Sequence, residues 1–132
     1  MNGLTIGKLA HDSGTGIETI RYYEREGLLE QPARTGSGYR QYTPDVISRL
    51  RFIRHAKELG FSLKETAELL SLKSNPQTTC GRIKKQTEEK IRDIEIRIAS
   101  LQKMRRILKK LSTACPGSGP AIACPILDTL EK

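Results

Sequence analysis

Residues 4–29, LTIGKLAHDSGTGIETIRYYEREGLL, contain two short helical patterns separated by a glycine-containing break. Thr5 is a residue type that caps helix N-termini, and the apolar spacing after it predicts a first helix over about residues 6–13. The second pattern predicts a helix over about residues 16–26, ended by Gly27. Helix, tight turn and helix form the helix-turn-helix pattern. The pattern alone does not identify a function, because many soluble proteins join two short helices through glycine.

The segment after the second helix loses helical periodicity. Residues 32–38, PARTGSG, can hold no regular element, and residues 39–42, YRQY, alternate as a short β-ribbon does. We therefore expect a wing here. Thr43 followed by Pro44 predicts an N-cap with proline in the first turn of a third helix. That helix would run as far as Gly60, with one apolar face made by Val46, Leu50, Ile53 and Ala56.

A fourth helix is predicted by a capping box. Ser62 and Glu65 have the spacing at which each side chain bonds the backbone of the other, and the helix would continue through Leu72. Its buried residues would be Leu63, Ala67 and Leu70. Four short helices and a wing thus fill residues 4–73, which we predict to be one winged helix-turn-helix domain.

Residues 81–112 predict one long helix, because they contain no proline and no glycine after Gly81. Eight positions alternate four and three residues apart and form a heptad seam, called the apolar seam below, with polar members at two places: Ile83, Thr87, Ile91, Ile94, Ile98, Leu101, Arg105 and Leu108. The sequence has no further domain to bury this stripe, so we predict that the same helix of a second chain covers it. Folding back on the N-terminal domain is the alternative.

The composition makes an anionic partner plausible without naming one. Twenty-three Lys and Arg oppose fifteen Asp and Glu, for a net charge of +8. The window 34–57 is a narrower signal, since its only acidic residue is Asp45 and its basic residues could meet phosphate: Arg34, Arg40, Arg49, Arg51, Arg54 and Lys57.

The three cysteines, Cys80, Cys115 and Cys124, cannot all pair within one molecule. The apolar runs are far shorter than the roughly 20 residues that span a bilayer, and the first ten residues lack the apolar core of a signal peptide. We therefore expect a cytoplasmic protein with reduced thiols, for which metal binding or redox chemistry is open.

The quoted residues 4–29, followed by GYRQYTPD and RLRFIRHAKELGFSLKETAELL, resemble the MerR family of transcription regulators, and the resemblance continues to CPIL near residue 127. It implies a mainly α fold with a winged helix-turn-helix DNA-binding domain over 4–73, and an antiparallel coiled-coil dimerisation helix over 80–112. A metal-binding loop and short C-terminal helix would follow over 113–132. It also implies that the second helix enters the major groove of DNA and that the wing contacts the backbone.

Six residues are candidate DNA contacts. Arg21 can bond a guanine edge or a phosphate, and Thr19 and Tyr22 lie on the same helix. Tyr39 and Arg40 on the wing and Arg54 on the third helix would contact phosphates. These residues also have purely structural interpretations. Arg21 could be an ion-pair partner on its own helix, and Tyr22 or Tyr23 could belong to the core. Exposed arginines are also common on the surface of a basic protein.

The positions of the three cysteines along the chain predict a metal site shared between chains. A helix of about 30 residues is roughly 45 Å long, so Cys80 before it cannot meet Cys115 after it in the same chain. Antiparallel pairing would join Cys80 of one chain to Cys115 and Cys124 of the other, giving two equivalent three-thiolate sites per dimer. The alternative is that the cysteines are small buried apolar residues.

Three soft ligands without a fourth favour mercury(II), since zinc usually takes four. His11 and His55 are too distant in sequence to complete a zinc site. Copper(I) sensors of the family resemble CPGSGPAIACPIL but usually have serine where this chain has Cys80, which indicates a divalent ion. Lead(II), cadmium(II), copper(I), silver, gold and zinc(II) remain alternatives.

The sequence thus predicts a homodimeric, metal-sensing regulator of a palindromic promoter operator. By the resemblance it would repress without metal, and with metal it would distort the DNA so that RNA polymerase can act. We expect no enzyme, because the chain has no Cys-His or Ser-His-Asp arrangement and no glycine-rich phosphate loop. A metal-buffering or thiol redox protein is the alternative from another class.

Overall fold

The computed structural model describes residues 3–32 and 41–132. Over those ranges the chain is mainly helical, as predicted. The helices in chain order are α1 (Ile6–Ser13), α2 (Ile17–Arg25), α3 (Asp45–Glu58), α4 (Leu63–Ser74), α5 (Cys80–Ala114) and α6 (Pro125–Glu131), with a 3-10 turn at Ala121–Ala123 before α6. The chain divides into two compact units, Met1–Lys84 and Lys85–Lys132.

Local capping explains where α1 begins and where the first two helices end. The Thr5 hydroxyl accepts a hydrogen bond of 3.1 Å from the Lys8 backbone N–H, so the predicted cap of α1 is confirmed. Gly14 ends α1 in the left-handed region, with φ 69°. Gly27 follows α2 with φ 81°. Glycine serves at both ends because a side chain would be strained at these backbone angles.

The third and fourth helices differ in how well the sequence predicted their starts. Pro44, not Thr43, occupies the cap position of α3, and no side-chain hydrogen bond caps the helix there. The fixed φ of proline, here −60°, already lies in the helical range, so the first turn forms without a side-chain cap. The capping box of α4 is confirmed, because Ser62 N–H donates to Glu65 Oε1 at 2.8 Å and Glu65 N–H donates to Ser62 Oγ at 3.1 Å.

The core of the first unit joins all four short helices. Leu9, Ile20, Leu50 and Ile53 are almost completely buried, and Leu70 of α4 packs with them. The remaining core members are Tyr23, Leu28, Leu29 and Tyr42. Leu63 and Ala67, predicted as buried, are only partly so and pack against this cluster. Truncating a core leucine to alanine would cost about 2–5 kcal/mol, so this cluster holds the helix-turn-helix in place.

Of the predicted β-ribbon at residues 39–42, the structure describes residues 41 and 42. Tyr42 forms an isolated antiparallel bridge with Leu4, whose N–H donates to Tyr42 O at 2.7 Å and whose carbonyl accepts from Tyr42 N–H at 2.8 Å. Tyr39 and Arg40 lie outside the described residues. The bridge fixes the chain as it enters α3.

The long helix α5 has 35 residues and extends two residues beyond the predicted end. Beyond it, the second unit contains the loop that leads to the 3-10 turn and α6. No helix in the described ranges is long and apolar enough to cross a membrane.

Candidate nucleic-acid interface and metal centre

The turn between α1 and α2 is three residues long and is fixed by glycine. Gly14 has φ 69°, and a Cβ built there would lie 3.1 Å from Arg54 Nη1. The Thr15 N–H donates to Ser13 Oγ at 3.3 Å. A side chain at residue 14 would therefore meet both backbone strain and a close neighbour, so the angle between α1 and α2 depends on this glycine.

Helix α2 has one buried face and one exposed polar face. Ile20, Tyr23 and Glu24 are buried, whereas the candidate contacts Thr19, Arg21 and Tyr22 are exposed. Of the two adjacent tyrosines, Tyr23 belongs to the core and Tyr22 is 41% exposed. The Arg25 guanidinium lies 5.8 Å from the Tyr22 ring centroid. The exposed face therefore offers a hydroxyl, a guanidinium and an aromatic ring from a rigidly packed helix.

Arg54 on α3 contacts the helix-turn-helix directly. Its Nη1 donates a hydrogen bond of 3.3 Å to the Ser13 carbonyl, one of the carbonyls that the end of α1 leaves without a helical partner. Arg54 is nevertheless exposed, and with Thr19 and Lys57 it lines an open cavity of about 430 Å³ beside the turn. Arg54 thus has a structural contact in addition to any contact with DNA.

Lys57 was not among the candidate contacts, although the sequence placed it in the basic window. It follows Arg54 by three residues on α3, and that helical spacing puts the two side chains on one face. Its Nζ lies 6.0 Å from the Tyr23 ring centroid. The three-residue spacing from Arg54 is the sequence feature that could have placed Lys57 among the candidate contacts.

One buried and one half-buried hydrogen bond lie behind the exposed face of α2. The Tyr42 hydroxyl donates to Glu24 Oε2 at 2.7 Å, and Arg49 Nε donates to the Leu28 carbonyl at 2.7 Å. Sequence reasoning missed Glu24, which is 7% exposed. The signal was an acidic residue on the apolar face of α2 next to Tyr23, because a buried polar side chain needs a hydrogen-bond partner.

Cys115 and Cys124 are brought together at the second unit's loop. Their Sγ atoms are 3.8 Å apart, and both residues are half-buried. Cys115 follows the last residue of α5, and Cys124 is the N-cap of α6. The pKa of Cys124 is lowered, first by hydrogen bonds from the backbone of Leu127 and Ile126 and further by the Cys115 side chain, while desolvation opposes the shift. These contacts favour a thiolate, the form that binds metal.

Cys80 belongs to the first unit and is exposed as the first residue of α5. With Phe52, Leu72 and Ile83 it lines an open, mostly apolar cavity of about 290 Å³. Among the described residues of one chain, no three His, Cys, Asp or Glu side chains lie close enough together to hold a metal ion. A single chain therefore supplies two neighbouring thiols and a third one elsewhere.

The apolar seam of α5 is largely uncovered in the single chain. Ile94 is 38% exposed and Leu101 is 61% exposed, and the seam residues Ile91, Ile98 and Leu108 are similarly open. Monomeric soluble proteins rarely leave a continuous apolar stripe of this kind exposed. The seam residues are thus available to a partner helix.

Two family descriptions match this combination of helix-turn-helix and long helix. "MerR HTH family regulatory protein" matches residues 4–73, and "MerR, DNA binding" matches residues 47–111. The chain belongs to the MerR family. The resemblance read from residues 4–29 and the motifs after them is thereby confirmed.

Individual members of the MerR family match over nearly the full chain. The HTH-type transcriptional regulator ZntR of Escherichia coli K12 is 43% identical over 129 residues, covering 96% of this chain and 92% of that protein. The mercuric resistance operon regulatory protein of Bacillus cereus is 42% identical over 127 residues, covering 96% of each. MerR-family proteins are transcription regulators, a class distinct from enzymes.

Solved structures of MerR-family proteins are also similar. The transcription regulator PbrR691 from Ralstonia metallidurans CH34, in complex with lead(II), has a TM-score of 0.87 and 31% identity, covering 96% of this chain and 98% of that one. The dual function regulator MerR from Bacillus megaterium MB1, in complex with mercury(II), has a TM-score of 0.74 and 38% identity, covering 98% of this chain and 100% of that one.

The structure describes seven of the nine candidate site residues of this MerR-family chain. Thr19, Arg21 and Tyr22 share the exposed face of α2, and Arg54 lies beside its N-terminal turn. Cys115 and Cys124 adjoin each other. Cys80 stands apart from them in the chain, and Tyr39 and Arg40 lie outside the described residues. Their roles in binding DNA or metal stay predictions.

Proposed function

We propose that this protein is a metal-responsive transcription regulator that binds promoter DNA as a homodimer and senses a soft metal ion through thiolates. The carrying observation is the 3.8 Å approach of Cys115 and Cys124 in a member of a regulator family. Two adjacent thiols on a regulator provide an input that changes with metal concentration. The proposed location is the cytoplasm, where thiols stay reduced.

The DNA interface of the proposal centres on α2. Thr19, Arg21 and Tyr22 project from a helix whose opposite face is anchored in the core, so the helix can enter the major groove as a rigid element. Tyr39, Arg40 and Arg54 would contact the sugar-phosphate backbone. Two copies in a twofold dimer would read a palindromic operator.

The proposed metal site combines thiolates from two chains. A 35-residue helix measures about 50 Å at 1.5 Å per residue, so Cys80 at the start of α5 cannot join Cys115 beyond its end in the same chain. Antiparallel pairing of the apolar seam would place Cys80 of the partner subunit beside Cys115 and Cys124. The exposure of Cys80 and the half-buried state of the other two leave all three thiols open to such an assembly.

We propose mercury(II) as the inducing ion. Three thiolates with no nearby histidine match an ion that accepts trigonal sulfur coordination. The similarity to a mercuric resistance regulator and to a regulator crystallised with mercury(II) supports this choice. Lead(II) is the principal rival, supported by the similarity to the lead(II) complex of PbrR691, and cadmium(II) and zinc(II) are further divalent alternatives.

A monovalent ion such as copper(I) is a second candidate with its own structural support. The Cys115 and Cys124 sulfurs come from one chain and already lie 3.8 Å apart, which suits an ion held between two thiolates. In that case Cys80 would be dispensable for metal affinity. The variant Cys80→Ser therefore separates the two proposals.

In the proposed mechanism, the metal-free dimer occupies its operator and represses. Metal binding at the ends of the long helices changes how the two DNA-binding domains are held, and the resulting distortion of the DNA lets RNA polymerase use the promoter. Metal would therefore change the shape of the complex without releasing it.

Two measurements test the proposal. Purified protein is titrated with mercury(II), lead(II), cadmium(II), zinc(II) and copper(I) in the presence of a competing thiol, with Cys80→Ser as the matched variant. Operator binding is measured against a palindromic promoter fragment and a scrambled fragment of equal length. Tightest binding of mercury(II), lost in Cys80→Ser, supports the mercury site; binding without preference for the palindrome would indicate a metal-buffering or redox protein.

A further inference from the structure

Cys115 and Cys124 are placed close enough to react with each other. Their Sγ atoms are 3.8 Å apart, and a disulfide requires about 2.05 Å, a difference that side-chain rotation and a small loop movement can supply. The two residues close a loop of eight intervening residues, so bringing the sulfurs together costs little chain entropy. The three cysteines of the structure are all free thiols.

The loop between the two cysteines contains two glycines with positive φ and has no packed neighbours at these positions. Gly117 and Gly119 have φ of 77° and 95°, angles that only glycine adopts freely, and a Cβ at either would meet no neighbour within 4 Å. The residues from Pro116 to Ala123 are exposed. No packed side chain in this loop has to be displaced for the sulfurs to approach, and solvent reaches the pair.

We propose that Cys115 and Cys124 form a reversible disulfide within one chain when the metal-free protein meets a peroxide, and that this disulfide prevents metal binding. The second half rests on the proposed metal site; the first half rests on the geometry of the pair alone. The protein would thus respond to a soft metal ion only while this thiol pair is reduced.

The chemistry balances with hydrogen peroxide as the oxidant. One thiolate attacks a peroxide oxygen, the O–O bond breaks, and the sulfur becomes a sulfenic acid while hydroxide leaves and is protonated to water. The second thiol then attacks the sulfenic sulfur, the S–S bond forms, the S–O bond breaks, and its proton leaves with the hydroxide as a second water. Two thiols lose two electrons, and one peroxide gains them.

The disulfide would remove the sulfur ligands that one chain contributes to the metal site. Thiolates bind soft metals, whereas a disulfide has no negative charge to donate. Cys80 would remain as a single thiol. Bound metal would protect the pair in turn, because the electron pairs needed to attack the peroxide would be engaged with the ion.

The test begins with reduced, metal-free, full-length protein treated with one equivalent of hydrogen peroxide. We expect a mass about 2 Da lower, from the loss of two hydrogens, one alkylatable thiol in place of three, and no covalent dimer on a non-reducing gel. Cys80→Ser should show the same mass loss. Cys124→Ser, the matched single variant, should instead give a sulfenic acid that dimedone traps.

Metal binding is measured separately on the same samples. Mercury(II) chloride serves as the probe, and its thiolate charge-transfer absorbance should be lost after oxidation and return after reduction with a phosphine. Covalent dimers through Cys80, or direct formation of sulfinic acid, would overturn the intrachain disulfide. A disulfide that forms in a protein whose reduced form never binds metal would refute the metal site and leave the disulfide standing.

Discussion

The phenol of Tyr42 donates a 2.7 Å hydrogen bond to the carboxylate of Glu24, eighteen residues earlier in the chain. Tyr42 also forms the backbone bridge with Leu4, and Glu24 lies on the buried face of α2. One tyrosine therefore joins the strand-like segment before α3 to the helix that we propose reads DNA. This hydrogen bond offsets part of the cost of burying the Glu24 carboxyl group.

We predict that Tyr42→Phe lowers the free energy of unfolding by about 1–3 kcal/mol, because the buried carboxyl oxygen of Glu24 loses a hydrogen bond while packing is preserved. Tyr22→Phe is the matched control, since it removes the same hydroxyl from an exposed ring on α2 and should change stability by no more than about 0.5 kcal/mol. Urea unfolding at one fixed protein concentration measures both. Equal stabilities of the two variants would show that the hydroxyl of Tyr42 contributes nothing.

We predict that Arg21→Ala weakens operator binding and lowers the slope of log affinity against log salt by about one unit if the guanidinium contacts a phosphate. Should it contact a guanine edge instead, the loss of about 1–3 kcal/mol would be confined to the palindrome, with the slope for scrambled DNA unchanged.

The control for Arg21 is Arg92→Ala, which removes the same charge from an exposed position on α5 outside the apolar seam. Fluorescence anisotropy at four salt concentrations would give both slopes. If the two variants bind palindromic and scrambled DNA as the parent protein does, Arg21 is not part of the interface.

We predict that Ile98→Glu converts the protein to a monomer, because a coiled-coil core cannot solvate an unpaired charge. Ile96→Glu is the matched control: Ile96 is 68% exposed and lies off the apolar seam, whereas Ile98 belongs to it. Sedimentation velocity should show a monomer for the first variant and the parent's assembly for the second. An intact dimer of Ile98→Glu would place the contact on another face of α5.

We predict that heterodimers of a Cys80→Ser chain and a Cys115→Ser/Cys124→Ser chain retain one tight mercury(II) ion. In the shared site, Cys80 of the double variant would join Cys115 and Cys124 of the single variant, and the other site would have no thiolates. Mercury stoichiometry is measured with enough competing thiol to strip sites of one or two thiolates. A heterodimer that holds no ion under these conditions would refute the shared three-thiolate site.

We predict that Cys124 reacts with iodoacetamide at a lower pH than an ordinary thiol. Its pKa is lowered by backbone hydrogen bonds from Leu127 and Ile126, so the thiolate forms at lower pH and metal competes with fewer protons. The alkylation rate of Cys124 in a Cys80→Ser/Cys115→Ser background should rise with a midpoint below that of the same chain unfolded in urea. Coincident midpoints would mean that α6 does not stabilise the thiolate.

The features that the sequence predicted well are those decided by neighbouring residues. The Thr5 cap, the Ser62–Glu65 box and the glycine after α1 each depend on residues within one turn of helix, so local spacing was sufficient. Helix α3 begins at Asp45, one residue after the predicted first position at Pro44, although the backbone of Pro44 is already helical.

The contacts that the sequence could not predict join distant residues. The sequence places Glu24 on the apolar face of α2 and Tyr42 in the ribbon, and only the folded core brings the two together. Arg54, predicted to contact phosphate, also bonds the Ser13 carbonyl, a contact that the sequence did not predict. The proximity of Cys115 to Cys124 depends on how the loop with Gly117 and Gly119 folds back. Residue type indicated the chemistry of these side chains, but only the fold determined their partners.

If the exposed seam of α5 forms the dimer contact, the response of the protein also depends on its own concentration. In the proposed dimer, folding and assembly form one mass-action equilibrium, so the thermal midpoint rises with total protein concentration. At low copy number the population shifts toward single chains. Each single chain has an incomplete set of thiolates and can contact only one half of a palindromic operator. Expression level would therefore tune both the sensitivity to metal and the occupancy of the promoter.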